Sequence, residues 1–262
     1  MFDIHSRASR IGLQLLATLM ILPFLAPLVF AVQGSLGGLG LGNYAKVWNT
    51  GIVPTVFMNS AIISVCTITI VYACAMLAAF GFSKLQILGR EVWFWVILAA
   101  LTVPEAVLLT PLFVVASTFD LYGELIAVIL PLAALQVPFS ILIARNFFDG
   151  IPNEIMEAAR VDGANVAQVF WSIVVPLTGP ITAAIIVFTL ISSWNSYLLP
   201  MLMLTEQSKQ VVTLLPSFFT SQYTNDQTGV LAAAVITAVP EVLVYLLFQR
   251  SFERGLSAGA LK

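Results

Sequence analysis

Residues 55–81 and 177–203 each run for 27 residues without a charged side chain, and residues 11–33 do so for 23. No other feature limits the possible folds as sharply. A helix crossing a bilayer needs about 20 largely apolar residues, and each run exceeds that. The rest of the chain agrees. Hydrophobic residues make up 60% of the 262 positions and charged residues only 9%, against about 25% charged in a soluble domain. Twenty-four charges cannot cover a water-facing surface of this size. A lipid-facing surface needs no such cover, so the chain reads as an all-α polytopic membrane protein. The net charge of −2 offers no basic patch for nucleic acid.

Six spans are expected, at about 11–33, 55–81, 92–117, 122–144, 177–203 and 230–250. They form a single transmembrane domain over 1–262, with no repeat or low-complexity tract. Arg7 and Arg10 precede the first run as in a signal peptide. Its apolar length, however, exceeds the roughly 7–15 residues of a signal core, so it reads as an uncleaved span. An even number of spans puts both termini on one side. With the termini in the cytoplasm, nine cations lie inside (Arg7, Arg10, Lys84, Arg90, Arg145, Arg160, Arg250, Arg254 and Lys262). Only Lys46 and Lys209 then lie outside. That asymmetry follows the positive-inside rule, and the reverse orientation violates it.

Outside, residues 34–42 carry five glycines and read as a flexible loop, while 204–229 are polar and long enough for a small external cap. Pro216, Phe218 and Phe219 mark part of that cap as packing on something. Prolines punctuate the first, third and fourth spans, where each removes a helix donor. Membrane helices tolerate such breaks better than soluble ones do. Cys66 and Cys74 lie eight residues apart in one apolar run, and the single histidine, His5, is terminal. Neither a disulfide within that helix nor a metal site can be built from them.

The informative segment is 145–176, between the fourth and fifth spans. Arg145, Asp149, Glu154, Glu157, Arg160 and Asp162 place a quarter of all charges within 18 residues. A plain helix connector has about 2–8 residues, so this one has structure or a partner. Pro152 suits a helix start, with Glu154 favourable near its positive end. Gly163 stands where a C-terminal cap belongs. Asn165 and Gln168 are spaced as a capping pair for a second helix. Pro176 and Pro180 then redirect the chain into the next span. The expectation is a helix–turn–helix on the cytoplasmic face, with Ala158, Ala159 and Ala164 small enough for another backbone to approach.

Glu157-Ala158-Ala159, three residues, Gly163, nine residues, then Ile173, Val175 and Pro176 resembles the EAA loop of ABC importer permeases. Val175 stands where leucine is usual. Similarity extends to Tyr44 through Asn59-Ser60, Val103-Pro104, Pro111-Leu112, Pro138-Phe139, Asn146-Phe147-Phe148, Trp194-Asn195 and the ending Gly255 to Lys262. These resemble the carbohydrate-uptake branch, in particular the shorter, six-helix permease of maltose-type importers. The resemblance implies a bacterial inner-membrane permease subunit paired with a second homologous permease. It also implies two ATPase subunits below and an extracytoplasmic solute-binding protein that delivers the sugar. The loop becomes a coupling helix, with Glu157, Ala158, Ala159, Asp162, Gly163, Ala164 and Phe170 as coupling residues. ATP and Mg belong to the partner subunits, since this chain has no phosphate-binding P-loop. Cargo within the branch includes di- and oligosaccharides, glycerol phosphate esters and polyols.

Pathway candidates are Trp194, Asn195, Ser196 and Tyr197, with Asn59, Gln136 and Ser140 behind them. Aromatic faces suit sugar C–H surfaces and amides suit hydroxyls, although Asn and Ser also join membrane helices to one another. Glu105 and Glu241 fall inside expected spans, where a carboxylate is costly and defaults to a functional hypothesis. Trp93-Phe94-Trp95 reads as an interfacial aromatic belt. A secondary transporter would need paired intramembrane charges or an inverted repeat, and an enzyme a convergent nucleophile, base or metal set. The sequence contains neither.

Overall fold

The structure is a computed structural model that describes residues 7–220 and 226–260. His5 and Lys262 lie outside the described residues, as do the side chains of Arg7, Arg10, Arg250 and Arg254. The described chain is helical throughout its long elements. In order these are α1 (Arg7–Ser35), α2 (Gly42–Trp48), α3 (Val53–Lys84), α4 (Arg90–Ala99), α5 (Glu105–Thr118) and α6 (Ile126–Asp149). They are followed by α7 (Asn153–Val161), α8 (Val166–Gln168), α9 (Val175–Leu177), α10 (Gly179–Trp194), α11 (Leu198–Met203) and α12 (Gln227–Ala260). Four helices are long and apolar enough to cross a membrane, and two bent helix pairs raise the number to six if each is one span.

Two of the expected spans are bent pairs of helices. Residues 92–117 are not one helix. The pair Arg90–Thr102 and Glu105–Thr118 turns by 101°. The residue before a proline is pushed out of the helical region by the proline ring, and Val103 before Pro104 is extended, with φ −87° and ψ 117°. Residues 177–203 do not form one helix either. The pair Val166–Leu177 and Gly179–Trp194 bends by 78° at Thr178, and the span ends at Trp194 before the separate α11. Between α8 and α9 the backbone widens to a π-helix over Val169–Val174. Pro176 cannot donate to the carbonyl of Ser172 and its ring crowds that oxygen, so the ladder must rearrange just upstream.

The chain divides into two compact units: one holds the chain up to Val53 with Leu215–Val239, the other Pro54–Leu214 with the chain from Pro240 onward. In the first unit the glycine-rich segment is tied down rather than loose. Asn43 is buried and donates to the carbonyls of Ser35 (2.9 Å) and Gly37 (2.7 Å), while the Ser35 and Tyr44 hydroxyls share a hydrogen bond of 2.5 Å. Gly34 lets the backbone of α1 approach α12, for a Cβ there would stand 2.5 Å from Leu231 Cδ1. Phe219 packs on the backbone of Gly229, which gives the aromatic end of the cap the partner its composition implied. Asp226 starts α12: it accepts from Gly229 N–H (3.1 Å) and Thr228 Oγ1 (2.9 Å) and pairs with Lys46 Nζ at 2.6 Å.

The second unit has two apolar clusters. One gathers Phe80, Phe94, Phe148, Met156, Phe170 and Ile185, and the other Ile63, Val128, Leu132, Leu199, Met203 and Leu214. Small side chains mark the buried helix faces: Ala75 and Ala79 on α3, Ala133 and Ala144 on α6, Ala184 on α10. Such residues let membrane helices pack closely where lipid supplies no hydrophobic drive. Ser193 and Ser64 join α10 to α3 through a buried hydrogen bond of 2.9 Å. The segment after α11 folds back here: Val211, Val212 and Leu214 are buried, and Lys209 pairs with Glu124 at 2.5 Å.

The Lys46 ammonium, then the Gly229 and Thr228 donors, hold the Asp226 carboxyl at about 2 instead of the ordinary 3.8. Folding lowers this pKa, so its stabilisation is full above the ordinary value and is lost as pH falls toward 2. Asp226→Asn should lower the thermal unfolding temperature of the detergent-solubilised chain near neutral pH. The gap from wild type should close between about pH 4 and pH 2.

Candidate functional site

The charged segment after α6 folds as two short helices around a glycine turn. Pro152 stands at the N-cap of α7, extended at ψ 136°, and Glu154 sits in the first turn. The helix ends in a Schellman motif. Gly163, at φ +83°, donates to the Arg160 carbonyl (3.0 Å), and Ala164 donates to the Ala159 carbonyl (2.9 Å). This 6→1 and 5→2 pairing satisfies two carbonyls that a helix end otherwise leaves unbonded. One residue later Asn165 Oδ1 accepts from Gln168 N–H (2.9 Å) and Gln168 Oε1 accepts from Asn165 N–H (2.8 Å), a complete capping box. Both helix signals read from the sequence are therefore present.

The faces of α7 divide cleanly. Met156 and Ala159 point into the core with Phe80, Phe148 and Phe170. Glu154, Ile155, Glu157, Ala158, Val161 and Asp162 are exposed, and Val161 is 87% exposed. That outer face mixes three carboxylates with apolar side chains, and Glu157 makes no side-chain hydrogen bond or ion pair among the described residues. The expected coupling residues separate accordingly. Glu157, Ala158, Asp162 and Gly163 face outward; Ala159, Ala164 and Phe170 support them from behind. Phe170 packs on Phe80 with ring centroids 5.1 Å apart.

A polar clamp fixes this segment to three helix ends, and the sequence reading assigned it no role. Lys84, the last residue of α3, donates to the Ile151 carbonyl (2.6 Å) and to Asn153 Oδ1 (3.1 Å). Ser83 donates to Asp149 Oδ1 (2.6 Å). Arg145 pairs with Glu91 of α4 at 2.5 Å, lies 3.8 Å from Asp149, and stacks 4.0 Å above the Phe94 ring. The Arg145–Asp149 spacing of four residues was visible in sequence; Ser83 and Lys84 carried no local signal. Phe94 is thereby buried under Arg145, so only Trp93 and Trp95 of the expected aromatic belt are exposed. Beside the clamp, Phe80, Lys84, Met156, Arg160, Asn165 and Val169 line a cleft.

The pathway candidates do not form one site. Asn59 is buried, and its amide donates to the carbonyls of Ser208 and Gln210, both at 2.9 Å. With Ser60, which accepts from Val212 N–H at 3.0 Å, it anchors the 208–212 segment to α3. Gln136 bonds Ser192 across α6 and α10. Ser196 keeps its hydroxyl buried while its carbonyl accepts from Thr213 (2.7 Å), and Tyr197 is exposed. Ser140 is buried. Trp194 packs edge-on against Phe57 at 6.0 Å. Asn195, at the C-terminal end of α10, donates to Glu241 Oε1 at 2.6 Å. Glu241 and Trp194 line one cleft with Leu190, Pro240, Val244 and Tyr245. Two features read separately in the sequence, the aromatic–amide cluster and the acid in the last span, thus meet. Glu105 stands exposed in the first turn of α5, at the break after Pro104.

Among the described residues no group of His, Cys, Asp and Glu gathers as a metal site. What remains is a set of bent membrane helices with a capped, outward-facing acidic helix at one connection. Comparison with known proteins places that class. Residues 72–258 match the family described as binding-protein-dependent transport system inner membrane component. The chain is 32% identical over 222 residues to the diacetylchitobiose uptake system permease protein NgcG of Streptomyces coelicolor, covering 84% of this chain and 74% of that protein. It is 31% identical over 225 residues to the arabinooligosaccharides transport system permease protein AraQ of Halalkalibacterium halodurans (86% and 80% covered). It is 31% identical over 222 residues to the sn-glycerol-3-phosphate transport system permease protein UgpE of Yersinia pestis (82% and 78%). A solved bacterial ABC transporter involved in the import of the acidic polysaccharide alginate shares the fold. Its TM-score is 0.80 at 23% identity, with 96% of this chain and 100% of that chain covered. The chain belongs to the binding-protein-dependent transport system inner membrane component family, among ABC permeases, which are transport components rather than enzymes.

Gly163→Ala, strained at positive φ, and Asn165→Ala, which removes a cap, should each cost about 1 kcal/mol locally. Hydrogen exchange of the detergent-solubilised protein should then be roughly fivefold faster across residues 153–168 and unchanged in α3.

Proposed function

We propose that this chain is one of two homologous permease subunits of an ATP-driven sugar importer and forms half of the translocation pathway. Its termini and the segment 145–176 face the cytoplasm. Two ATPase subunits there bind ATP and Mg, and an extracytoplasmic binding protein delivers a di- or oligosaccharide. The single observation that carries the coupling role is the outer face of α7: Glu154, Glu157 and Asp162 interleaved with Ile155, Ala158 and Val161, all exposed on a helix capped at its C-terminal end. Apolar side chains at one helical face with an acidic fringe suit insertion into a complementary cleft of a partner.

The clamp supports a route for the work. A partner drives a conformational change only if it contacts the two states differently. Movement of α7 by the ATPase acts on Lys84 through the Ile151 carbonyl and Asn153, and on Asp149 through the chain itself. Ser83, Lys84 and Arg145 pass it to α3, α4 and α6. Pathway access then changes where the helices are already bent, at Pro104 and Thr178.

Glycerol phosphate esters are a second cargo reading, favoured by the similarity to UgpE; polyols fall in the same group of solutes. A secondary transporter would work alone, and two measurements separate it. Affinity purification of this chain should bring down an ATPase and a second permease. Glu157→Lys, which inverts a charge at the centre of the exposed face, should leave the complex's span composition intact but cut cargo-stimulated ATP hydrolysis and uptake at least tenfold, a loss of about 1.4 kcal/mol or more. Normal stimulation in Glu157→Lys, or transport by the chain alone in liposomes without ATP, would refute the coupling role.

A further inference from the structure

The cleft between α10 and α12 has a chemistry that goes beyond the presence of a pathway. Its wall is apolar, from Leu190, Pro240 and Val244, and carries the rings of Trp194 and Tyr245. Its polar rim is the Asn195–Glu241 pair, joined at 2.6 Å. Asn195 is exposed and Glu241 half-buried, so the rim reaches the accessible surface. The pair is chemically lopsided. Asn195 spends its amide on Glu241 Oε1 and on the Ile191 carbonyl (3.0 Å), leaving its own carbonyl oxygen as an acceptor. Glu241 Oε2 has no hydrogen-bond donor among the described residues, and no described Lys or Arg stands within ion-pairing distance of the carboxylate. The rim therefore offers acceptors and a negative charge, and the wall offers aromatic faces.

Resting on the importer reading above, we infer that Asn195 and Glu241, with Trp194 and Tyr245, form a subsite that passes uncharged saccharides and excludes anionic ones. A sugar presents hydroxyl donors to Glu241 Oε2 and to the Asn195 carbonyl, and C–H faces to the rings. A phosphate ester or a uronate adds a second negative charge to its hydroxyls, and the apolar wall of the cleft screens its repulsion from Glu241 poorly. Specificity built on such repulsion needs no extra contact to the accepted cargo. The inference decides between the two cargo readings in favour of the neutral one.

The test uses cells that carry the complete importer, with and without this chain. They are fed a mixture of neutral oligosaccharides, uronate disaccharides and glycerol 3-phosphate, and imported solutes are read by mass spectrometry. The expected result is that only an uncharged saccharide loses uptake when the chain is absent. Loss of a phosphorylated or carboxylated solute overturns the subsite while leaving the importer reading standing. No change in any solute overturns both. In the complex reconstituted with the cargo so found, Glu241→Ala should lower uptake at saturating cargo about tenfold, the loss of one charged hydrogen bond. Glu241→Gln keeps an acceptor for Asn195 and offers an NH2 donor to a cargo hydroxyl oxygen in place of Oε2, so its loss for that neutral cargo should be clearly smaller, about threefold. Wild-type uptake in Glu241→Ala, or equal loss in both variants with the complex still assembled, would overturn the assignment. The cargo-charge arm stands even where a variant fails to assemble.

Discussion

A peptide group inside hydrocarbon has no water to bond, so each N–H and C=O must find its partner within the protein. That constraint shapes this chain more than any single contact. It makes the long apolar runs helical, and it makes each departure from a helix meaningful. The departures fall at prolines and their neighbours: Val103 before Pro104, Thr178 before Gly179-Pro180, and the π-helical stretch upstream of Pro176. At Thr178 the hydroxyl donates to the Val175 carbonyl at 2.7 Å, answering one acceptor of the interrupted ladder.

Where the chain leaves the apolar region, polar bonding replaces helix packing as the means of holding elements together. The connection after α6 shows this best. Apolar contacts from Met156, Ala159 and Phe170 seat the helix–turn–helix, and the Lys84, Ser83 and Arg145 contacts fix its orientation against three helix ends. Exposed ion pairs contribute little to stability, but Arg145 is mostly covered, sits on an aromatic face and bonds Glu91. Its contacts fix the orientation of the connection against α4. The other end of α3 uses the same device, with Asn59 and Ser60 tying backbone groups of the 208–212 segment to it.

The proposed functions divide between two regions, coupling at the outer face of α7 and cargo selection at the cleft of Trp194, Asn195 and Glu241. The two regions share no residue.

The sequence by itself determined the class, the helical fold and the signals of the loop, because these rest on local physics. Apolar length, proline, a positive-φ glycine and the Asn165–Gln168 spacing act within a few residues of themselves. The breaks at Pro104 and at Thr178, before Gly179-Pro180, were legible as prolines, but not as bends of 101° and 78°, since neighbouring helices set the direction of a kink. Only the tertiary structure decided that Asn59 anchors a loop instead of standing free, that Phe94 lies beneath Arg145, that Lys84 holds the start of α7, and that Asn195 meets Glu241. Each joins positions 46 or more residues apart, or turns a side chain away from the face its neighbours occupy. A hydrogen bond across that separation leaves no periodic trace in a sequence, because its partner is chosen by helix packing and not by spacing along the chain.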